Sequence, residues 1–396
     1  MKRDTNCELL IRGGMVLDAK NGIHGRRDIA IADGKIAKVA ENISGLEAET
    51  VIDADGLLVS PGFIDMHCHH FYGTDPDAYL SNGNQALPPD GFTFRSGVTS
   101  VLDTGGSGWK NFEQFKKQTI DQAATRVFAL LNIIGSGMKG GAIEQNLEDM
   151  EPEKTAAMAK KYPDQVVGIK LAHYLGPDWT PTERTVAAGK LAGVPVMIDF
   201  GRSQPPLPLE TLFLEKLRPG DIYTHCYAHV DGREALVDDH GNVRPLVAKA
   251  REKGIWFDVG HGQASFDFAQ AVPALEQGFM PDSISTDLHT GCMNGGMKDM
   301  PNLMSKFINM GMPLQDVFRA VTWNPAQCLG HPELGHLSEG AEADVTISRL
   351  REGDYGFVDS KGIKIRGKSK LECELTIRAG QVVYDLNGLT APLLAR

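Results

Sequence analysis

Long apolar runs, paired cysteines and an excess of positive charge are all missing from these 396 residues, and each absence removes a class of protein. A stretch such as Phe128 to Ile134 is interrupted by Asn132 and is far too short to span a bilayer. Lys and Arg number 40 against 51 Asp and Glu, a net charge of -11, which argues against nucleic acid or an anionic membrane as partner. The six cysteines (Cys7, Cys68, Cys226, Cys292, Cys328, Cys373) show no paired spacing, so neither a disulfide framework nor a cysteine-based zinc site is indicated. No signal-peptide core follows Met1-Lys2-Arg3-Asp4-Thr5-Asn6, and a cytoplasmic, reducing location is the expectation. What remains is an ordinary globular composition, 42% hydrophobic and 23% charged, long enough to bury a large core.

The chain does have a His-x-His step, His67-Cys68-His69, at the end of the apolar run Leu57 to Ile64. In an extended segment residues i and i+2 face the same way, so both imidazoles point to one side. Two converging imidazoles are good first ligands for a divalent transition metal. Taken alone, the pair is equally well read as ordinary strand-end histidines.

The organisation around this step is β-rich at both ends. Leu9-Leu10-Ile11, Ile29-Ala30-Ile31 and Ile36 to Val39 read as strands, with Asp33-Gly34 a hairpin turn. Asp344 to Ile347, Leu375 to Arg378 and Gln381 to Tyr384 behave likewise, the last two around Ala379-Gly380. Residues 1–60 and 339–396 are therefore expected to form one small β-sandwich domain. Between them, residues 61–338 alternate apolar strands with helical stretches at Asn111–Ala124, Glu153–Tyr162, Glu183–Leu191, Val243–Lys253 and Phe266–Glu276. Eight such α/β units close most naturally as a (β/α)8 TIM-type barrel, with the active site at the C-terminal strand ends. No Gly-x-Gly-x-x-Gly follows the first strand of this set, which counts against a doubly wound open sheet.

The strand ends carry the chemistry: His67 and His69, then Lys170, Asp199, His225, His261 and Asp287. Histidines and carboxylates gathered at one mouth bind zinc, provided a position is left for water or substrate. Each has a plainer reading. Lys170 could reach the surface, Asp287 could cap a helix, and Asp199 could hydrogen-bond the loop Gly201 to Pro206. His331 and His336 fall in the connection after the barrel and read as structural.

The pattern resembles the amidohydrolase superfamily, in its binuclear, dihydroorotase-like and deacetylase-like branch. The likeness is carried by Pro61 to His69, Gly168-Ile169-Lys170, Thr224-His225, Asp258 to Gly262 and Ser285 to His289. Thr322 to Ala326 and Gly340 to Asp344 resemble the closing signature, so the resemblance runs from about Leu9 to Val383. It implies two divalent metal ions, most simply zinc, and a Lys170 carboxylated by carbon dioxide that bridges them. His67, His69 and Asp287 would hold the first ion and His225 the second. A histidine is also implied at the end of the fifth strand, where this chain has Asp199. Either Asp199 ligates in its place, the second metal is weakened or lost, or a nearby histidine such as His173 or His229 swings in.

The implied activity is hydrolysis of an amide or ester of a small acylated amino or hydroxy acid. A hydroxide shared by the metals would attack, with Asp287 as catalytic base. A cyclic amidohydrolase (dihydroorotase- or hydantoinase-like) and a non-catalytic scaffold of the same fold are the alternatives. Arg202, His261, His289 and Asn294 are candidate substrate contacts, Asn294 from a Gly-rich loop and Arg202 through its two-pronged guanidinium. A small molecule is the expected partner, and a homo-oligomer is compatible with the chain.

Overall fold

The computed structural model describes residues 7–73, 86–199 and 201–394. The N-terminal strands are β1 (Cys7–Asp18), β2 (Ile23–Ala32), β3 (Lys35–Ala40), β4 (Ala48–Asp53) and β5 (Leu58–Pro61). Seven more follow: β6 (Phe63–Cys68), β7 (Val98–Gly108), β8 (Arg126–Asn132), β9 (Val166–Leu171), β10 (Val196–Ile198), β11 (Ile222–Tyr223) and β12 (Trp256–Phe257). The chain ends with β13 (Val345–Val358), β14 (Lys364–Arg378) and β15 (Gln381–Asp385).

Strands β6 to β12 form one parallel sheet in strict chain order. They are buried almost throughout, as parallel strands covered on both faces must be. Residues 283–288 touch both edges of this sheet. Ser283 bridges Asp258 beside β12, and Leu288 bridges Cys68 of β6, both in parallel. His69 N–H donates to Leu288 O (3.0 Å), and His261 N–H to Ser285 O (3.1 Å), extending the same ladder.

Helices over Pro152–Lys161, Thr180–Ala192, Pro245–Lys253 and Phe268–Glu276 lie within a few residues of their expected positions. The helix expected over Asn111–Ala124 is shorter. It starts at Phe112 and widens into π-type turns over Lys116–Ile120. The Asp90 carboxylate takes the Ala124 and Thr125 N–H groups (2.9 Å each), so the helix cannot continue through them.

Both termini build a second sheet, as expected, but its hydrogen bonds run through one continuous path, β15-β14-β13-β5-β1-β2-β3, with β4 also paired to β1. The sheet thus forks at β1, and apolar residues of both ends, such as Ile11, Ile31, Ile52, Val345 and Leu375, form one core. The two expected hairpin turns are present, with Asp33, Gly34, Ala379 and Gly380 all at positive φ. The tips abut: a Cβ on Gly380 would lie 2.6 Å from Gly34 Cα.

Candidate active site

The C-terminal ends of β6, β9, β10 and β11, with residues 283–289, surround a cavity of about 230 Å³. His67, His69, Asp199, His225, Asp287, His289 and Arg202 line it. Lys170 is fully buried, its Nζ 3.2 Å from His67 Nε2 and 4.0 Å from Asp199 Oδ2. The lysine therefore does not reach the surface. Asp287 Oδ1 lies 2.9 Å from His69 Nε2 and 3.6 Å from His67 Nε2.

The orientation of His67 follows from a buried chain of hydrogen bonds. Thr224 Oγ1 donates to Asp258 Oδ2 (2.7 Å), so it can only accept from His67 Nδ1–H (2.9 Å). That fixes the tautomer and leaves the Nε2 lone pair facing Lys170 and Asp287. Asp258 is held by Ser283 (2.5 Å) and Ser285 (2.7 Å) as well. Sequence reasoning assigned no role to Thr224 or Asp258, although both sit inside motifs it singled out.

His225 is set in the same way. Its Nδ1–H donates to Gly260 O (2.6 Å), which turns Nε2 toward Asp199 Oδ2 (3.1 Å). Asp199 is thus bound up with His225, His173 (3.5 Å) and Arg233 (3.7 Å). The alternative partner, the loop 201–206, is not what its carboxylate faces. His173 and Glu144 join the cluster through an Nδ1–Oε2 contact of 2.9 Å. Glu144 and Arg233 carried no signal in the sequence.

Burial and neighbouring charge set the ionisation. Burial first, and then Lys170, push the His67 imidazole down to about 3, so it is neutral and able to donate a lone pair. Burial likewise lowers Lys170 from its usual range, against the pull of Asp199 and Asp287. For Asp287 burial acts upward, but His67 and His69 outweigh it and hold the carboxyl well below the usual range. The enclosing wall would lower His173, yet Glu144 and Asp199 outweigh that and push it up to about 9. The negative field that favours a proton there also favours a metal cation.

Two expected substrate contacts are placed elsewhere. His261 is buried beneath the mouth, stacked on Phe266 (4.6 Å between ring centres) with Nε2 2.6 Å from Lys306 Nζ. Asn294 lines a separate cavity of about 270 Å³ with Asp65, Thr286 and Asp299. Neither His261 nor Asn294 is part of the lining of the cavity that His67 and Asp287 border. His331 pairs with Glu333, and His336 with Lys20, both outside the cavity lining.

Among the described residues, ligand atoms of His67, His69 and Asp287 lie within 4.8 Å of one another. His69 Nδ1 is buried without a hydrogen-bond partner. Two imidazoles, that of His67 held neutral, and the ionised Asp287 carboxylate are a donor set a divalent cation needs, so the residues fit such an ion.

Residues 223–383 match the Amidohydrolase family. A deacetylase of Enterococcus faecalis is 33% identical over 390 residues, covering 96% of this chain and 99% of the relative. The chain belongs to the amidohydrolase family. A crystal structure of an adenine deaminase matches with a TM-score of 0.85 at 30% identity, over 96% of this chain and 100% of that one. A dihydroorotase structure matches at 0.84 and 28%, over 95% and 99%. As an amidohydrolase the chain is a hydrolase, and members of this family are generally binuclear metal enzymes.

Proposed function

We propose that this amidohydrolase is a metal-dependent deacylase, cleaving an amide or ester of a small acylated amino or hydroxy acid. The observation that supports it is the meeting of His67, His69, Asp199, His225 and Asp287 around one cavity, with Lys170 Nζ against His67. The name of the E. faecalis relative, which aligns over nearly the whole chain, supports acyl removal as the reaction. In this reading the parallel sheet and its bridges are a (β/α)8 barrel of residues 61–338. Residues 1–60 and 339–396 are its β-sandwich domain.

His67, His69 and Asp287 would hold one zinc ion. His225 and Asp199 would hold a second, with Lys170 as an N-carboxylated bridge. Such ions, when bound, supply a water of lowered pKa and a polarised carbonyl. Thr224 and Asp258 keep His67 in the donating tautomer, and burial excludes bulk water from Lys170. Asp287 accepts a proton from the attacking water at Oδ1 and returns it to the departing nitrogen or oxygen. Arg202, exposed at the rim, is suited to pair with a substrate carboxylate, and His289 borders the same space.

Asp287→Asn, which keeps an oxygen at the metal position, should lower kcat by roughly 100- to 10,000-fold even at zinc concentrations that keep the site filled. Steady-state kinetics beside metal analysis checks this, and near-native turnover would remove Asp287 from the role. The likeness to a dihydroorotase structure favours one second reading, a cyclic amidohydrolase. A panel of N-acyl amino acids, acyl esters and cyclic imides separates the two: ring opening without acyl cleavage would select the second.

A further inference from the structure

Asp199 stands where the resemblance implies an imidazole, so His225 and Asp199 are left as the side chains facing a second cation, together with Lys170. Of the two histidines that could stand in for the missing imidazole, the cavity separates them. His229 is as exposed as His173, but it is absent from the cavity lining and pairs with Asp267 at 3.9 Å. His173 lines the cavity, with Nε2 3.5 Å from Asp199 Oδ2.

His173 is also held there by a built support. The turn Gly141–Gln145 follows β8 and presents two neighbouring side chains to it. Glu144, 1% exposed, accepts Gly140 N–H at Oε1 (2.8 Å) and faces His173 Nδ1 with Oε2 (2.9 Å). Gln145 donates from Nε2 to His173 O (2.8 Å) and accepts Leu175 N–H at Oε1 (2.8 Å), clamping the backbone on both sides. His173 itself has φ +54°, a conformation that residues with a Cβ adopt only where their surroundings impose it. A carboxylate on Nδ1 commits that nitrogen as donor and leaves Nε2 to the cavity. A carboxylate behind an imidazole is the support that metal-ligating histidines generally have.

We propose that His173, oriented by Glu144, is a ligand of the second metal position in company with Asp199 and His225. His173 thereby takes over the imidazole role that the fifth strand end gave up. The inference rests on the metal-dependent reading above, and deepens it by assigning the second position.

The test uses the whole chain, stripped with a chelator and reloaded with Zn²⁺ or Co²⁺ alone. Metal per chain is counted by mass spectrometry, and Co²⁺ absorption reports the donor set. Wild type should take two ions per chain, and His173→Ala one. Glu144→Gln leaves the imidazole in place and should raise the Kd of the weaker ion about 10- to 100-fold. His229→Ala should match wild type. Circular dichroism shows that each variant is folded; should His173→Ala fail to fold, the Glu144→Gln titration decides alone. Two ions of unchanged Kd in His173→Ala or Glu144→Gln would overturn the assignment. A wild type saturating at one ion would overturn it too, while leaving the deacylase reading standing. A wild type that takes no ion would overturn both.

Discussion

Three side chains at the cavity, His173, His225 and Asp287, sit at φ of 54, 55 and 53°, where a Cβ normally crowds the backbone. The strain is matched by close approach of neighbouring glycines. A Cβ on Gly260 would lie 2.7 Å from His225 Nδ1, and one on Gly262 2.1 Å from Asp287 Oδ2. Only a bare backbone fits against these two functional groups. The orienting hydroxyl of Thr224 is the most direct residue-level test. Thr224→Val keeps the shape but leaves His67 Nδ1 and Asp258 Oδ2 each short of a partner. Metal affinity should fall about 10- to 100-fold, and stability by about 1–3 kcal/mol. Zinc titration and urea unfolding measure the two, with Thr224→Ser expected to restore both. Unchanged affinity in the valine variant would remove Thr224 from the orienting role.

The later strands of the parallel sheet are very short: β10 spans three residues, and β11 and β12 two each. Their ends therefore depend on packing from elements further along the chain. The helix Met300–Asn309 provides some of it, through a lysine with no exposed surface. Lys306 Nζ donates to Gly296 O and Val358 O (2.8 Å each) and meets His261 Nε2, tying three segments together under the mouth. Burial holds its amine down from 10.5 to about 7, with Asp359 and Asp299 acting upward and Lys298 downward. Between those values the unfolded chain binds a proton that the folded chain does not, so this group makes stability rise with pH from about 7. The stability lost in Lys306→Met should thus be larger at pH 9 than at pH 6. Urea unfolding of both proteins at the two pH values checks it, and an equal loss would rule out a neutral Lys306 in the fold.

At the scale of the whole molecule, the terminal sheet and the parallel sheet are not independent. The long β13–β14 hairpin belongs to the first through Val345 and Leu375, while Phe357 and Leu371 join the core of the second. Cations at the cavity would tie together strand ends from β6 to residues 283–289, which come from far apart in the chain. Metal that binds only the folded state stabilises it by about 2.7 kcal/mol at one hundred times its Kd. Chelation should therefore lower Tm, and added zinc should restore it. Scanning calorimetry with and without chelator gives the answer; an unchanged Tm after complete metal loss would show that the ions do not brace the fold.

The sequence by itself determined the alternation of buried strands and helices and the two glycine hairpin turns, and it placed the starts of most parallel strands. These are local properties, because apolar period and turn chemistry are written within a few neighbouring residues. Lys170, in the buried run Val166–Leu171, was legible for that reason. Tertiary structure alone decided where side chains point once a strand has ended. It turned His261 down onto Lys306 and moved Asn294 to another cavity. It also brought Glu144, His173, Asp199 and Arg233 into one cluster. Such directions follow from a few positive-φ residues and from partners supplied by other loops, and no periodicity in the chain records either.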